Sequence, residues 1–146
     1  MLRTEVVRER GGFAPLLPYA EDWDLWLRIA RLHPFVQLTW PPVLSRQHAG
    51  QGSRTMRRID HRCELLTRAA RAHGQASPGG RDLTPARFRA QIGRYRTEFG
   101  YHHLQSGNRW VGVRSLLRAW ALRPTQWRAL ALAAMGALGW RPAQSL

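Results

Sequence analysis

The sequence predicts an α/β chain, rich in helix, that ends in an all-helical tail. Three observations carry this. Apolar residues recur at helical spacing through residues 20–32 and again through 54–73. Between these stretches, residues 35–40 (Phe-Val-Gln-Leu-Thr-Trp) have strand composition, and residues 43–47 read as a second extended piece. Beyond a Gly-rich linker the pattern is helical only. The organisation expected is residues 1–73, a linker over 74–83, and a helical tail over 84–146.

The elements follow from the residues in order. Residues 1–13 are short and mixed, and Gly11-Gly12 punctuates them, because a Gly pair allows positive φ and close backbone approach. Pro15 and Pro18 make a turn region. In residues 20–32, Trp23, Trp26, Leu27 and Ala30 share a helical face, with Leu25 and Ile29 widening it. Glu21, Asp22 and Asp24 occupy the first turn, where carboxylates suit the positive end of the helix dipole. Arg28 and Arg31 sit toward the other end, and Pro34 stops the helix. Pro41-Pro42 ends the first strand. Residues 48–53 are a Gly-rich loop, and residues 54–73 predict a long helix with Ile59, Cys63, Leu66 and Ala70 on one face. Residues 74–81 are the clearest linker. Thr84-Pro85 then predicts an N-cap followed by Pro at the first helical position. Helix runs to about residue 105 and breaks at Ser106-Gly107-Asn108. It resumes over 110–122, pauses at Pro124 and finishes over 126–138. Residues 101–124 resemble one tetratricopeptide-type unit, and a single unit reads as a helical hairpin.

Composition excludes several classes. The chain has 146 residues, 44% of them hydrophobic, with seven Trp, which is not the make-up of a disordered tail. One Cys excludes an internal disulfide framework and a multi-thiolate zinc site. No apolar run reaches the roughly 18 residues of a membrane span, and the charged first ten residues lack the apolar core of a signal peptide. The expected location is cytoplasmic, with peripheral contact at the inner membrane face left open. The 23 basic and 9 acidic side chains give a net charge of +14, and every basic residue is Arg. That permits a polyanionic partner without demonstrating one, since Lys also binds phosphate well and is absent.

Three of the nine acids lie together in Glu21-Asp22-Trp23-Asp24. A carboxylate at a helix start, after a Pro-bearing loop, is placed to take a proton from a sugar hydroxyl as a general base, or to hold a metal. Such acids also cap helices widely, and spacing alone leaves both roles open. His48 is a lone loop histidine with no second ligand at metal spacing beside it. His102-His103 diverge on a helix and read as structural or surface residues. Cys63 reads as a buried small hydrophobe. Neither Gly-x-Ser-x-Gly nor a phosphate-cradling Gly loop with its Lys is present.

Gly11-Gly12-Phe13 followed by residues 18–30 (Pro-Tyr-Ala-Glu-Asp-Trp-Asp-Leu-Trp-Leu-Arg-Ile-Ala), two short extended pieces and Arg46-Gln47-His48 resemble the C-terminal half of family 2 glycosyltransferases. The resemblance spans roughly residues 1–73. It implies a partial GT-A fold and inverting transfer of a sugar from a nucleotide-sugar donor to a saccharide or lipid-linked acceptor. It places Asp22 as catalytic base, with Glu21 beside it on the acceptor side. Gly12, Trp23, Asp24 and Arg46 become substrate-side residues: Arg46 for phosphate charge, and Trp23 for stacking on a sugar ring if it is not simply core. The family uses a divalent cation, Mg²⁺ or Mn²⁺, to offset charge on the departing diphosphate, and His48 matches a loop position near it.

The family's front half, with its metal-holding Asp-x-Asp after a strand, has no counterpart here, so the chain reads as a fragment: Asp22-Trp23-Asp24 has that form but lies at the base position. The competing expectation is a non-catalytic basic module binding nucleic acid or an acidic partner. It rests on Arg54, Arg57, Arg58, Arg62, Arg68 and Arg71 at helical spacing. Nucleic acid is disfavoured, since no aromatic-interleaved binding motif accompanies that row.

Overall fold

A computed structural model describes residues 2–17, 19–44, 46, 56–74 and 83–143. These residues form six helices: α1 (Thr4–Glu9), α2 (Glu21–Ala30), α3 (His61–His73), α4 (Pro85–Ser106), α5 (Arg109–Leu122) and α6 (Trp127–Ala137). The chain divides into two compact units, one of Met1–Thr55 with Glu64–Asp82, the other of Met56–Cys63 with Leu83–Leu146.

Among the described residues there is no strand, so the expectation of an α/β, partial GT-A fold is overturned. Residues 35–40 do not pair, nor do residues 43, 44 and 46 of the second expected piece. The composition misled for a physical reason. Strand propensity measures how well a side chain fits a half-buried pleated surface, and it needs a neighbouring strand to act on. Here Phe35, Val36, Leu38, Trp40, Val43 and Leu44 are all exposed. Pro34, Pro41 and Pro42 also remove backbone donors from any ladder.

The second unit is a three-helix stack built by its caps. The Thr84 side chain accepts the Arg87 N–H at 3.3 Å and Pro85 occupies the first helical position, which starts α4. Gly107 ends it. Asn108 Oδ1 then accepts the N–H groups of Trp110 at 3.0 Å and Val111 at 3.3 Å, starting α5 two residues later. So short a connection makes α4 and α5 antiparallel neighbours, and their contacts agree: Ser115 Oγ donates to the Arg96 carbonyl at 2.8 Å, while Gly112 lies against Gly100. The last helix returns along α5, setting Gly136 against Leu104 and Val113. The core is Leu104, Val113, Leu116, Ala119, Ala129 and Ala133, with Trp120 and Leu132 at its margin. Each fully buried Leu contributes about 1.5–3 kcal/mol; the many Ala and Gly let the helices approach closely.

Residues 56–63 belong to this unit, and they bind along α4. The predicted helix over 54–73 begins only at His61, after an Asp60 cap whose Oδ1 accepts the Cys63 N–H at 3.1 Å. Cys63 is fully buried, as the sequence implied, with its thiol 3.8 Å from the Ile92 carbonyl. Arg62 lies over the Tyr95 ring at 3.7 Å and pairs with Glu98 at 3.3 Å. His103 is buried. Its Nδ1 accepts the Asn108 N–H at 3.2 Å and its Nε2 lies 2.7 Å from the Arg57 carbonyl, so the proton sits on Nε2.

In the first unit, α1 was not legible as a helix: six residues with no buried side chain leave no periodic stripe. It contacts α2. Leu25 and Ile29, one turn apart, are the buried side chains of α2.

Candidate functional site

The entrance to α2 brings together Gly12, Asp24 and Arg28. Gly11 and Gly12 both have positive φ, 76° and 66°, and turn the chain back after α1. Arg28 closes this turn onto the helix. Its Nε and Nη2 bind Asp24 Oδ2 at 2.9 and 2.8 Å, Nη2 donates to the Gly12 carbonyl at 2.7 Å, and Nη1 donates to the Arg10 carbonyl. The planar fork suits this task, reaching a carboxylate and two carbonyls at once. Asp24 is thereby held to Arg28 through its Oδ2.

Ala20 precedes the helix with φ 62° and ψ 26°. This left-handed conformation costs a residue with a Cβ about 1–2 kcal/mol. Ala20 is the one non-Gly residue with positive φ among the described residues. It re-aims the chain so that Glu21 and Asp22 become the first helical residues. Glu21 is exposed. Asp22 is half-buried, and its Oδ1 accepts the Trp23 N–H at 2.8 Å. The other carboxylate oxygen of Asp22 has no partner among the described residues. Trp23 is half-buried, its ring 6.3 Å from that of Trp26 at 42°.

Arg46 is exposed and is not joined to this entrance by any hydrogen bond or ion pair among the described residues. His48 lies outside the described residues. No three His, Cys, Asp or Glu side chains come together as a metal-ligand group among the described residues.

The basic row expected over residues 54–71 does not form as a helix face. Arg54 lies outside the described residues, Arg57 and Arg58 precede α3, and Arg62 is engaged by Tyr95 and Glu98.

Two hollows adjoin these elements. One of about 430 Å³ in the first unit is lined by Glu9, Arg10, Arg28, Arg31 and Leu32. A larger groove of about 760 Å³ runs between α4 and α6, with Tyr101, Leu132 and Met135 on its walls and Arg94 and Arg128 among its charged residues. Sequence reading missed this groove. The signal was the apolar make-up of α6, which exceeds what one buried stripe requires.

No family model matches the chain, and comparison with curated proteins and with solved structures gave no match.

Proposed function

We propose that residues 11–30 form the acceptor side of an inverting sugar transferase, with Asp22 as its general base. The observation that supports this is the arrangement at the start of α2. A strained left-handed Ala20 sets two carboxylates at a helix entrance that Arg28 locks to the Gly11-Gly12 turn. Strained backbone persists where the surroundings hold it in place, and such positions cluster at functional sites.

Within this reading the three acids divide their roles. Asp24 is neutralised by Arg28 and fixes the helix. Asp22 keeps one oxygen on the Trp23 amide and offers the other to the acceptor. The acceptor hydroxyl proton passes to that oxygen as the hydroxyl oxygen bonds to the anomeric carbon. The bond from that carbon to the donor diphosphate breaks, and the diphosphate leaves with the electron pair. Glu21 stands beside Asp22 on the exposed side. The nucleotide-sugar donor is held by a partner half outside residues 1–146. Arg46 and His48 are assigned to diphosphate and cation by resemblance alone, and no step here depends on a metal.

Reading the coding DNA in frame upstream, and in the neighbouring genes, tests the first requirement. A half bearing Asp-x-Asp after a strand is expected, and its absence would remove the reading. With that half supplied, Asp22→Asn is expected to lower turnover by about 10²–10⁴-fold, the usual contribution of a general base, with nucleotide-sugar affinity unchanged. Turnover near the normal rate in Asp22→Asn would exclude Asp22 as the base.

A further inference from the structure

We infer that the outward face of α6 docks on an anionic lipid surface. The helix carries two apolar stripes where a soluble helix needs one. Ala129, Ala133 and Gly136 are buried against the neighbouring helices. On the opposite side Trp127, Leu130, Ala131, Ala134 and Leu138 follow the i, i+3, i+4, i+7, i+11 spacing of a single outward stripe. Trp127 is 71% exposed and Leu138 89%. An exposed contiguous apolar surface of this kind marks an interaction site.

Charge decides what covers it. The nine acidic residues of the chain end at Glu98, and residues 99–146 contain no Asp or Glu but six Arg and four of the seven Trp. Arg128 flanks the stripe on α6 itself. Trp110 and Trp140 are exposed, with the Arg109 guanidinium 4.9 Å over the Trp110 ring. An apolar stripe flanked by Arg and Trp, with no acid to repel phosphate, fits the headgroup boundary of an anionic bilayer: Trp and Leu enter the acyl margin while Arg meets lipid phosphate. A protein partner would be expected to find polar groups along the stripe to pair with, and the stripe has none. The helix has 11 residues where spanning takes about 20, and among the described residues no helix is long and apolar enough to cross a membrane. Contact is therefore along the surface. The neighbouring groove between α4 and α6 carries Glu98, paired with Arg62 and Arg94, on its wall, so the docking surface is the outward stripe and not the groove. This surface does not depend on the sugar-transfer reading.

The test is flotation of the full chain with vesicles of phosphatidylcholine alone or of equal parts phosphatidylcholine and phosphatidylglycerol, at low and high salt. Retention on the anionic vesicles, weakened by salt and weak on the neutral ones, is expected. Leu130→Glu with Leu138→Glu is expected to lower retention at least roughly tenfold, since burying a Leu side chain is worth that much in partition. Both positions are exposed, so helicity should be unchanged. As a check on the unaltered fold, bromine-labelled acyl chains should quench the chain's fluorescence, and less so in Trp127→Phe. No retention at low salt overturns the inference. So does retention indifferent to the Glu pair, or quenching unchanged in Trp127→Phe. A dimer in sedimentation that the Glu pair converts to monomer, with lipid retention absent, would assign the stripe to a second copy instead.

Discussion

Arg28 donates to the Gly12 carbonyl at 2.7 Å across a separation of 16 residues. The same guanidinium nitrogen binds Asp24 at 2.8 Å, so one side chain joins a glycine turn to the first turn of α2. Hydrogen bonds to charged groups contribute about 1.5–3 kcal/mol. About a third of this side chain is exposed, which places the value toward the lower end. Arg28→Ala is expected to open α2 locally, with its backbone amides exchanging about tenfold faster or more. Arg28→Lys should recover only part of that, because an ammonium cannot reproduce the fork. Hydrogen exchange over residues 21–30 reads both, and protection equal to the parent in Arg28→Ala would contradict the clamp.

Ala20→Gly is expected to stabilise the first unit. The left-handed φ of 62° costs about 1–2 kcal/mol for a residue with a Cβ. Gly removes that cost and adds about 0.4–1 kcal/mol of unfolded-state entropy. A net gain of up to about 1.6 kcal/mol follows, read as slower exchange of the α2 amides. Under the sugar-transfer reading the same change should lower turnover, because the carboxylates lose a fixed approach. A loss of stability in Ala20→Gly would show that the strain is not there.

Much of the helical framework could be read from the sequence, because caps and apolar periodicity act locally. Thr84-Pro85 starts α4, and the break read at Ser106-Gly107-Asn108 separates α4 from α5. What failed depended on distant partners. Phe35 to Trp40 has the composition of a strand, but composition cannot supply a neighbouring strand. Helix α1 and the late start of α3 at His61 were missed because neither is set by a periodic stripe. At the candidate site, the acids and the Gly pair were legible as residue types. The left-handed Ala20 was not, since Ala gives no signal of positive φ.

Cys63 is expected to be inert to thiol reagents while the chain is folded. Burial, and then the hydrogen bond and negative charge of Asp60, push its thiol from the ordinary 9.0 up to about 12. The thiolate is the reactive form. The sign of the linkage follows from the raised value: the folded state favours the protonated thiol, so its stabilisation is fully present below about pH 9. It is lost as pH rises from there toward about 12. Alkylation by iodoacetamide at mildly alkaline pH should occur only with denaturant present. Cys63→Ser should flatten the fall in stability across that alkaline range. Rapid alkylation of the folded chain would contradict the burial.

Gly112→Ala and Gly93→Ala are expected to act in opposite directions, although both add one methyl group to a helix. At Gly112 a Cβ would lie 2.7 Å from the Gly100 carbonyl oxygen, 3.1 Å from Leu104 and 3.2 Å from His103. The nearest of these is backbone, which cannot swing aside, so α4 and α5 must separate. Overpacking costs about 1–3 kcal/mol, against about 1 kcal/mol gained from helix propensity. Gly112→Ala should therefore lower stability by up to about 2 kcal/mol. At Gly93 the nearest atoms are Gln126 Oε1 at 3.5 Å and the Ala119 carbonyl at 3.7 Å, ordinary contact distances. Only the propensity gain remains, and Gly93→Ala should raise stability by up to about 1 kcal/mol. Urea unfolding followed by far-UV circular dichroism reads both as shifts of the midpoint at constant slope. If Gly112→Ala were as stabilising as Gly93→Ala, the close approach of α4 and α5 at Gly100 and Gly112 would be wrong.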